Sequence, residues 1–326
     1  MNETWKSADI SSLDGKRILI TGANSGIGYH ATLGLARKGA HVIMACRDPR
    51  RAGAAIARLR VEAPGASAEL VVLDLASLAS VREFAHRELA ELRPLHTLIN
   101  NAGVMAPPRR LETADGFQLQ FGTNVLKHFA LTGLLMPLLE RAMWAGRPRV
   151  VTIASIAHKR GRLNFDDLQS TRHYSPMQSY QQSKLADLMF ALELDRRLRA
   201  GGSRVMSIAA HPGVANTNLF RAGERSTLDT AVRAAASHMI GALLNSDDAG
   251  ALPTLYAATS PDVADGGYYG PTGLMEMRGN RVGHAAIVPK AQNAEAARRL
   301  WQVCETLTGV QFPLRASDLE HSFRSK

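Results

Sequence analysis

Residues 16–28 read Lys16-Arg17-Ile18-Leu19-Ile20-Thr21-Gly22-Ala23-Asn24-Ser25-Gly26-Ile27-Gly28, an apolar run that passes directly into a glycine-rich turn. A run with helical character, Tyr29 to Lys38, follows and stops at Gly39. Strand, glycine turn and helix start in this order make a cradle for a pyrophosphate, because backbone N–H groups and the positive end of the helix dipole point at the same spot. Gly22 permits the tight turn, Gly26 lets phosphates approach the backbone, and Gly28 lets helix and strand pack closely. Asn24, Ser25 and Ile27 complete the turn. The spacing is G-x-x-x-G-x-G, one residue longer overall than the common dinucleotide fingerprint, with the extra length in its first interval.

Outward from this turn, strands and helices alternate. His41-Val42-Ile43-Met44-Ala45-Cys46 reads as a second strand with Arg47 at its carboxyl end. In a dinucleotide fold that position faces the adenosine ribose, where an acidic residue suits a free 2′-hydroxyl and an arginine suits a 2′-phosphate. Arg47 therefore favours NADP(H) over NAD, although Asp48 beside it can turn inward instead. A third strand, Glu69 to Leu73, ends in Asp74-Leu75, and a fourth, Leu95 to Ile99, ends in Asn100-Asn101-Ala102-Gly103. Between them, residues 77–92 have helical apolar spacing with Ser77 as N-cap. The alternation predicts an α/β fold, a Rossmann-type doubly wound parallel sheet with ligands at the carboxyl ends of its strands. Asp74, with Leu75 beside it, is placed to accept from the adenine amine, and Asn101, Ala102 and Gly103 to lie along the adenosine ribose.

The spacing next predicts a long helix over 114–141 carrying Asn124 among apolar neighbours. A buried amide needs partners, either backbone or a water shared with a lysine. A fifth strand, Arg149 to Ala154, delivers Ser155, and a sixth, Arg204 to Ala210, runs into His211-Pro212-Gly213-Val214-Ala215-Asn216-Thr217. Pro212 and Gly213 fix that turn, which sets Thr217 within reach of a nicotinamide carboxamide or the pyrophosphate.

The chemistry is carried by Tyr180-Gln181-Gln182-Ser183-Lys184. Residues four apart on a helix share a face, so Tyr180 and Lys184 can converge on one substrate atom. A phenol exchanges protons poorly at neutral pH unless its anion is stabilised. An ammonium about 5 Å away, at an effective dielectric of about 20, favours the anion by about 3 kcal/mol. The pair therefore reads as an acid/base group, with Ser155 holding the substrate oxygen opposite it.

These residues stand in the order found in the short-chain dehydrogenase/reductase family, which the chain resembles along nearly its whole length. Gly22 to Gly26, Ala45-Cys46-Arg47-Asp48, Tyr180 to Leu185 and His211 to Val214 are similar to the retinol-dehydrogenase-like branch and its bacterial relatives. The resemblance implies NADP(H) as cofactor and a catalytic set of Asn124, Ser155, Tyr180 and Lys184. In it Tyr180 exchanges the proton, Ser155 orients the reacting oxygen, Lys184 acts on Tyr180 and the nicotinamide ribose, and Asn124 holds a relay water. It needs no metal, and it implies pairing into a homodimer or homotetramer.

Composition bounds the alternatives. The chain has 326 residues, 45% of them hydrophobic, and a net charge of +10, enough for one large α/β domain. The arginines are spread along the chain without blocks or interleaved aromatics, which argues against nucleic acid. Two distant cysteines, Cys46 and Cys304, offer neither a disulfide framework nor a zinc site. Met1 to Lys16 is polar, and no eighteen-residue apolar run occurs, so the expectation is a cytoplasmic chain with no membrane partner.

The expected organisation is a single domain over 1–326, with a cofactor-binding core at 14–217, a substrate lobe at 218–245, and the last helices, last strand (266–270) and C-terminal extension at 246–326. Leu219, Phe220, Leu228, Met239 and Ile240 would make the lobe an apolar lid, favouring a small apolar alcohol, aldehyde or ketone. Residues 157–179, with His158, Phe165, His173 and Tyr174, are expected to form a loop on the cleft wall. Two other readings compete with the reductase: a nucleotide-binding regulator without turnover, and a nucleotide-sugar epimerase, whose first turn is usually G-x-x-G-x-x-G.

Overall fold

A computed structural model describes residues 5–142, 147–214 and 245–313. The strands are β1 (Arg17–Thr21), β2 (His41–Cys46), β3 (Ala68–Val72), β4 (Thr97–Asn100), β5 (Arg149–Ile153), β6 (Met206–Ala210), β7 (Tyr268–Pro271) and β8 (Val282–His284). The helices are α1 (Gly26–Ala36), α2 (Pro49–Glu62), α3 (Leu78–Glu91), α4 (Lys127–Arg141), α5 (Pro176–Ala200), α6 (Asp247–Thr259) and α7 (Ala294–Thr308). One sheet holds all eight strands in the order β3-β2-β1-β4-β5-β6-β7-β8. Every pairing is parallel except β7 with β8.

Both faces of the sheet are covered, which is why β1 is buried at all five positions and its centre, Ile18-Leu19-Ile20, is continuously apolar rather than alternating. On one face, α3, α4, α5 and α7 pack Val81, Phe84, Phe129, Leu188 and Leu300 over Leu19 and Leu98. On the other, α1, α2 and α6 pack Leu35, Leu59 and Leu255 over Ile18, Ile20 and Val42. Trp301 of α7 and Phe312 close on Phe129 of α4 and Phe190 of α5, with ring centroids 4.6–6.4 Å apart. That aromatic cluster fixes the 25-residue helix α5, and with it Tyr180 and Lys184, against the sheet.

Three expectations change. The helix read over 114–141 starts only at Leu119, and its first part, Phe121–Leu126, is a π-helical turn. Residues 113–117 form a turn instead: Gly116 has φ +78°, Thr113 Oγ1 accepts from Asp115 N and Phe117 N, and the Asp115 carboxylate meets buried Lys127 at 2.8 Å. The strand expected at 266–270 is found as β7, but it is followed by the antiparallel β8, too short and half-exposed to stand out in the pattern. The 157–179 segment does not line the main cleft; it packs over the start of α5, where Tyr174 donates to Pro107 O at 2.6 Å and His158 is fully buried. Thr217 and the apolar lid from Leu219 to Ile240 lie outside the described residues.

Candidate active site

The carboxyl ends of β1, β2, β4, β5 and β6 open on a single cleft of about 390 Å³. Gly22, Asn24, Ser25, Gly26, Ile27 and Gly28 form its floor. Ser25 precedes α1 without a side-chain cap, so the first N–H groups of the helix are left for a ligand. Gly28 cannot carry a side chain, because a Cβ there would stand 2.3 Å from Gly22 O and 2.5 Å from Asn101 Nδ2. Uncapped donors and this close approach suit the pyrophosphate of a dinucleotide.

Arg47, Asp48, Arg51, Asp74 and Leu75 line the side nearer β2 and β3. Asp48 is partly spent: its Oδ1 accepts from Arg50 N at 2.9 Å and Arg51 N at 3.2 Å, capping α2. Arg51, one turn into α2, adds a second guanidinium that the strand-end reading had no reason to single out. Asp74 is partly spent, since its Oδ1 accepts from Ala76 N at 2.9 Å.

Ala102 and Gly103 present backbone to the cleft. The Asn101 side chain turns back instead and donates to Thr21 O at 2.8 Å and Gly22 O at 3.4 Å, where it locks the glycine turn. Asn100 is a core residue whose amide donates to Thr132 Oγ1 at 2.9 Å.

The side formed by β5 and α5 holds Ser155, Tyr180 and Lys184, with Pro212 and Gly213 from the end of β6 facing them. Ser155 Oγ accepts from Ala157 N at 3.1 Å, which leaves its proton free to donate into the cleft. Lys184 is 4% exposed; its Nζ donates to Ile153 O and to Asp187 Oδ2, both at 2.9 Å, and stands 6.0 Å from the Tyr180 ring centre. Burial works against the Lys184 ammonium, but the Asp187 carboxylate and Tyr180 more than offset it, so its pKa lies above the ordinary lysine value. Asp187 is itself raised, chiefly by burial, with Lys184 opposing.

Asn124 sits in the π-helical turn, a local widening that is frequent at functional sites. Its Nδ2 donates to Val104 O at 3.1 Å and Ser183 Oγ at 3.0 Å, while its Oδ1 accepts from Val104 N at 2.9 Å. The amide thus ties the β4 end to α5 and keeps one Oδ1 lone pair for a water.

Sequence reasoning missed Asp187, three residues past Lys184 on the buried face of α5, although an acidic residue at that spacing from a lysine is a visible signal. Among the described residues no cluster of metal-binding side chains occurs, both cysteines are free and buried, and no helix is long and apolar enough to cross a membrane.

The chain is similar to known proteins along nearly its whole length. Residues 16–227 match the family model for short chain dehydrogenase. Retinol dehydrogenase 13 of Homo sapiens is 40% identical over 309 residues, covering 93% of this chain and 87% of that protein. Polyprenol dehydrogenase of Homo sapiens is 38% identical over 294 residues, covering 90% and 84%. A crystal structure of an uncharacterised protein from Mycobacterium paratuberculosis superposes with a TM-score of 0.78 at 40% identity, covering 95% of this chain and all of that one. The match over residues 16–227 and the identity to these dehydrogenases along nine-tenths or more of the chain have one meaning: the chain belongs to the short-chain dehydrogenase/reductase family of oxidoreductases, in its retinol-dehydrogenase-like branch.

Proposed function

We propose that this chain interconverts an apolar alcohol and its aldehyde or ketone with NADP(H), using Tyr180 as the acid/base. One observation carries the reading: the same cleft collects two guanidiniums at the β2 end, uncapped helix donors in the middle, and a serine, a tyrosine and a buried lysine at the β5 end. The β2 and β5 ends are three strand spacings apart, about 14 Å, a span suited to an extended dinucleotide.

A bound nicotinamide would supply or accept the hydride. The residues of the chain do the rest. Ser155 Oγ, with its acceptor side already occupied by Ala157 N–H, donates to the substrate oxygen and steadies its developing charge. Tyr180 passes the proton to that oxygen in reduction and takes it in oxidation. Lys184 keeps its charge deep in the protein, and its third N–H is left for a ribose hydroxyl and for the field at Tyr180. Asn124 holds Val104 and Ser183 together, so the floor beneath Lys184 does not shift. Arg47, joined by Arg51, binds a 2′-phosphate, while Asp48 beside them already caps α2 through its Oδ1.

Val104, Met105, Leu119, Ile153, Ile156 and Val214 give the cleft apolar walls, which supports an apolar substrate over a charged one. A panel of apolar aldehydes, ketones and alcohols, followed by the absorbance of reduced nicotinamide with both cofactors, tests the proposal. Turnover is expected with NADP(H) and apolar members of the panel. Turnover confined to NAD(H), or none across the panel, would contradict it.

A further inference from the structure

Lys184 does not stand alone. Its partner Asp187 is 3% exposed, lies three residues on along α5, and is the only carboxylate within ion-pair distance of Lys184 among the described residues. Burying a charged pair costs more in desolvation than most pairs return, so an ion pair this deep needs a reason to be there. Its surroundings are otherwise weakly charged. Cys304 of α7 faces Asp187, and burial together with that carboxylate holds its thiol in the neutral form. His128 of α4 lies within the field of Lys184 and is kept neutral by burial. Tyr180, on the same helix, is the remaining titratable group that interacts with Lys184.

We propose that Asp187 is a positioning residue for the reaction: it fixes the ammonium of Lys184 between itself and Ile153 O, and its negative charge limits how strongly that ammonium acts on Tyr180. The inference rests on the acid/base role proposed for Tyr180. Two of the three Lys184 N–H groups are committed to Asp187 Oδ2 and Ile153 O, so the head group is already oriented before any cofactor arrives, and one donor is left for it. The magnitude follows from the helix. Asp187 lies seven residues beyond Tyr180, about 10 Å along the axis. At that distance, with an effective dielectric of about 20, one unit charge is worth about one pH unit in the ionisation of the phenol. Over the range in which Lys184 keeps its ammonium without the carboxylate that opposes its burial, removing the charge while keeping an acceptor should therefore make Tyr180 give up its proton at lower pH.

The test compares the full chain and Asp187→Asn by ultraviolet titration of tyrosinate with NADP⁺ bound, each with the same titration of its Tyr180→Phe version subtracted to isolate one phenol among six. The expected result is a Tyr180 transition about one pH unit lower in Asp187→Asn, with NADP⁺ affinity unchanged within about twofold because the amide still anchors Lys184. In Asp187→Ala, which removes the anchor as well, NADP⁺ should bind at least fivefold more weakly. A transition that stays within about 0.3 unit in Asp187→Asn overturns the proposal, since a purely structural residue would change stability and leave the titration in place. Where Asp187→Asn does not fold, the Asp187 carboxyl of the unmodified protein is followed by ¹³C NMR. A titration well above the ordinary aspartate range that moves when NADP⁺ is added supports the proposal, and one that is insensitive to NADP⁺ overturns it. Neither titration uses turnover, so a failure of the substrate panel and a failure of this inference are read separately.

Discussion

The Thr21 hydroxyl lies 2.9 Å from His128 Nε2, and this contact settles the protonation of a fully buried imidazole. His128 Nδ1 is 2.9 Å from Asn124 O, which can only accept, so Nδ1 carries the proton and Nε2 accepts from Thr21. The same Thr21 oxygen accepts from Asn101 N and Ala102 N, each at 2.9 Å. One hydroxyl at the end of β1 thereby joins the start of the glycine turn, the end of β4 and the helix that carries Asn124. The cofactor floor and the β4 edge of the reaction site are one hydrogen-bonded unit.

A pH dependence follows from that neutral imidazole. Burial pushes His128 from 6.5 down to about 4, and His211 behaves alike for the same reason. Between those values the unfolded chain binds the protons and the folded chain does not, so stability falls as pH is lowered from about 6.5 toward 4. For His128 the full loss is about 3 kcal/mol. Asp187 works in the opposite sense, because burial raises its pKa, and it offsets part of the decline. Urea unfolding across this range should show falling midpoints, with a shallower decline in His128→Asn. Equal slopes in the two proteins would refute the assignment.

Gly28→Ala tests the floor of the cleft. Its Cβ would meet Gly22 O at 2.3 Å, a backbone atom that cannot swing aside as a side chain would. Thermal unfolding should show a loss of about 1–3 kcal/mol, and calorimetry should show loss of dinucleotide binding. A variant that binds normally would mean that the turn does not hold the pyrophosphate.

Arg47→Ala tests cofactor choice. Losing a charge-assisted contact to a 2′-phosphate should weaken NADPH by about 1–3 kcal/mol, between roughly 5- and 150-fold, and leave NADH nearly unaffected. Arg51→Ala should act in the same direction with a smaller effect, because Arg51 sits a turn further into α2. Equal losses for the two cofactors, measured by fluorescence titration, would remove the 2′-phosphate assignment.

Much of this was legible in the chain because it depends on local chemistry. A buried strand needs apolar residues on both faces, and a phosphate turn needs glycines, so β1 and the Gly22–Gly28 turn can be read residue by residue. The four-residue step from Tyr180 to Lys184 was legible for the same reason. What depended on distant partners was not. The purpose of Asn101 became visible only with the carbonyls of Thr21 and Gly22 that it serves. The helix that begins at Leu119 and leads into α4 was read too early because the turn at 113–117, with Asp115 paired to Lys127 twelve residues on, replaces its first residues. β8 was missed because three residues alongside a neighbouring strand leave almost no pattern.

The central claim is that Tyr180 moves the proton. The direct measurement is single-turnover reduction by Tyr180→Phe with NADPH bound, using the best carbonyl substrate of the unmodified protein. A rate lowered by about 10²–10⁴-fold, with NADPH affinity unchanged within about threefold, is the predicted result. A variant that reduces the carbonyl at the original rate would contradict the account and reduce the cleft to a site for nucleotide binding.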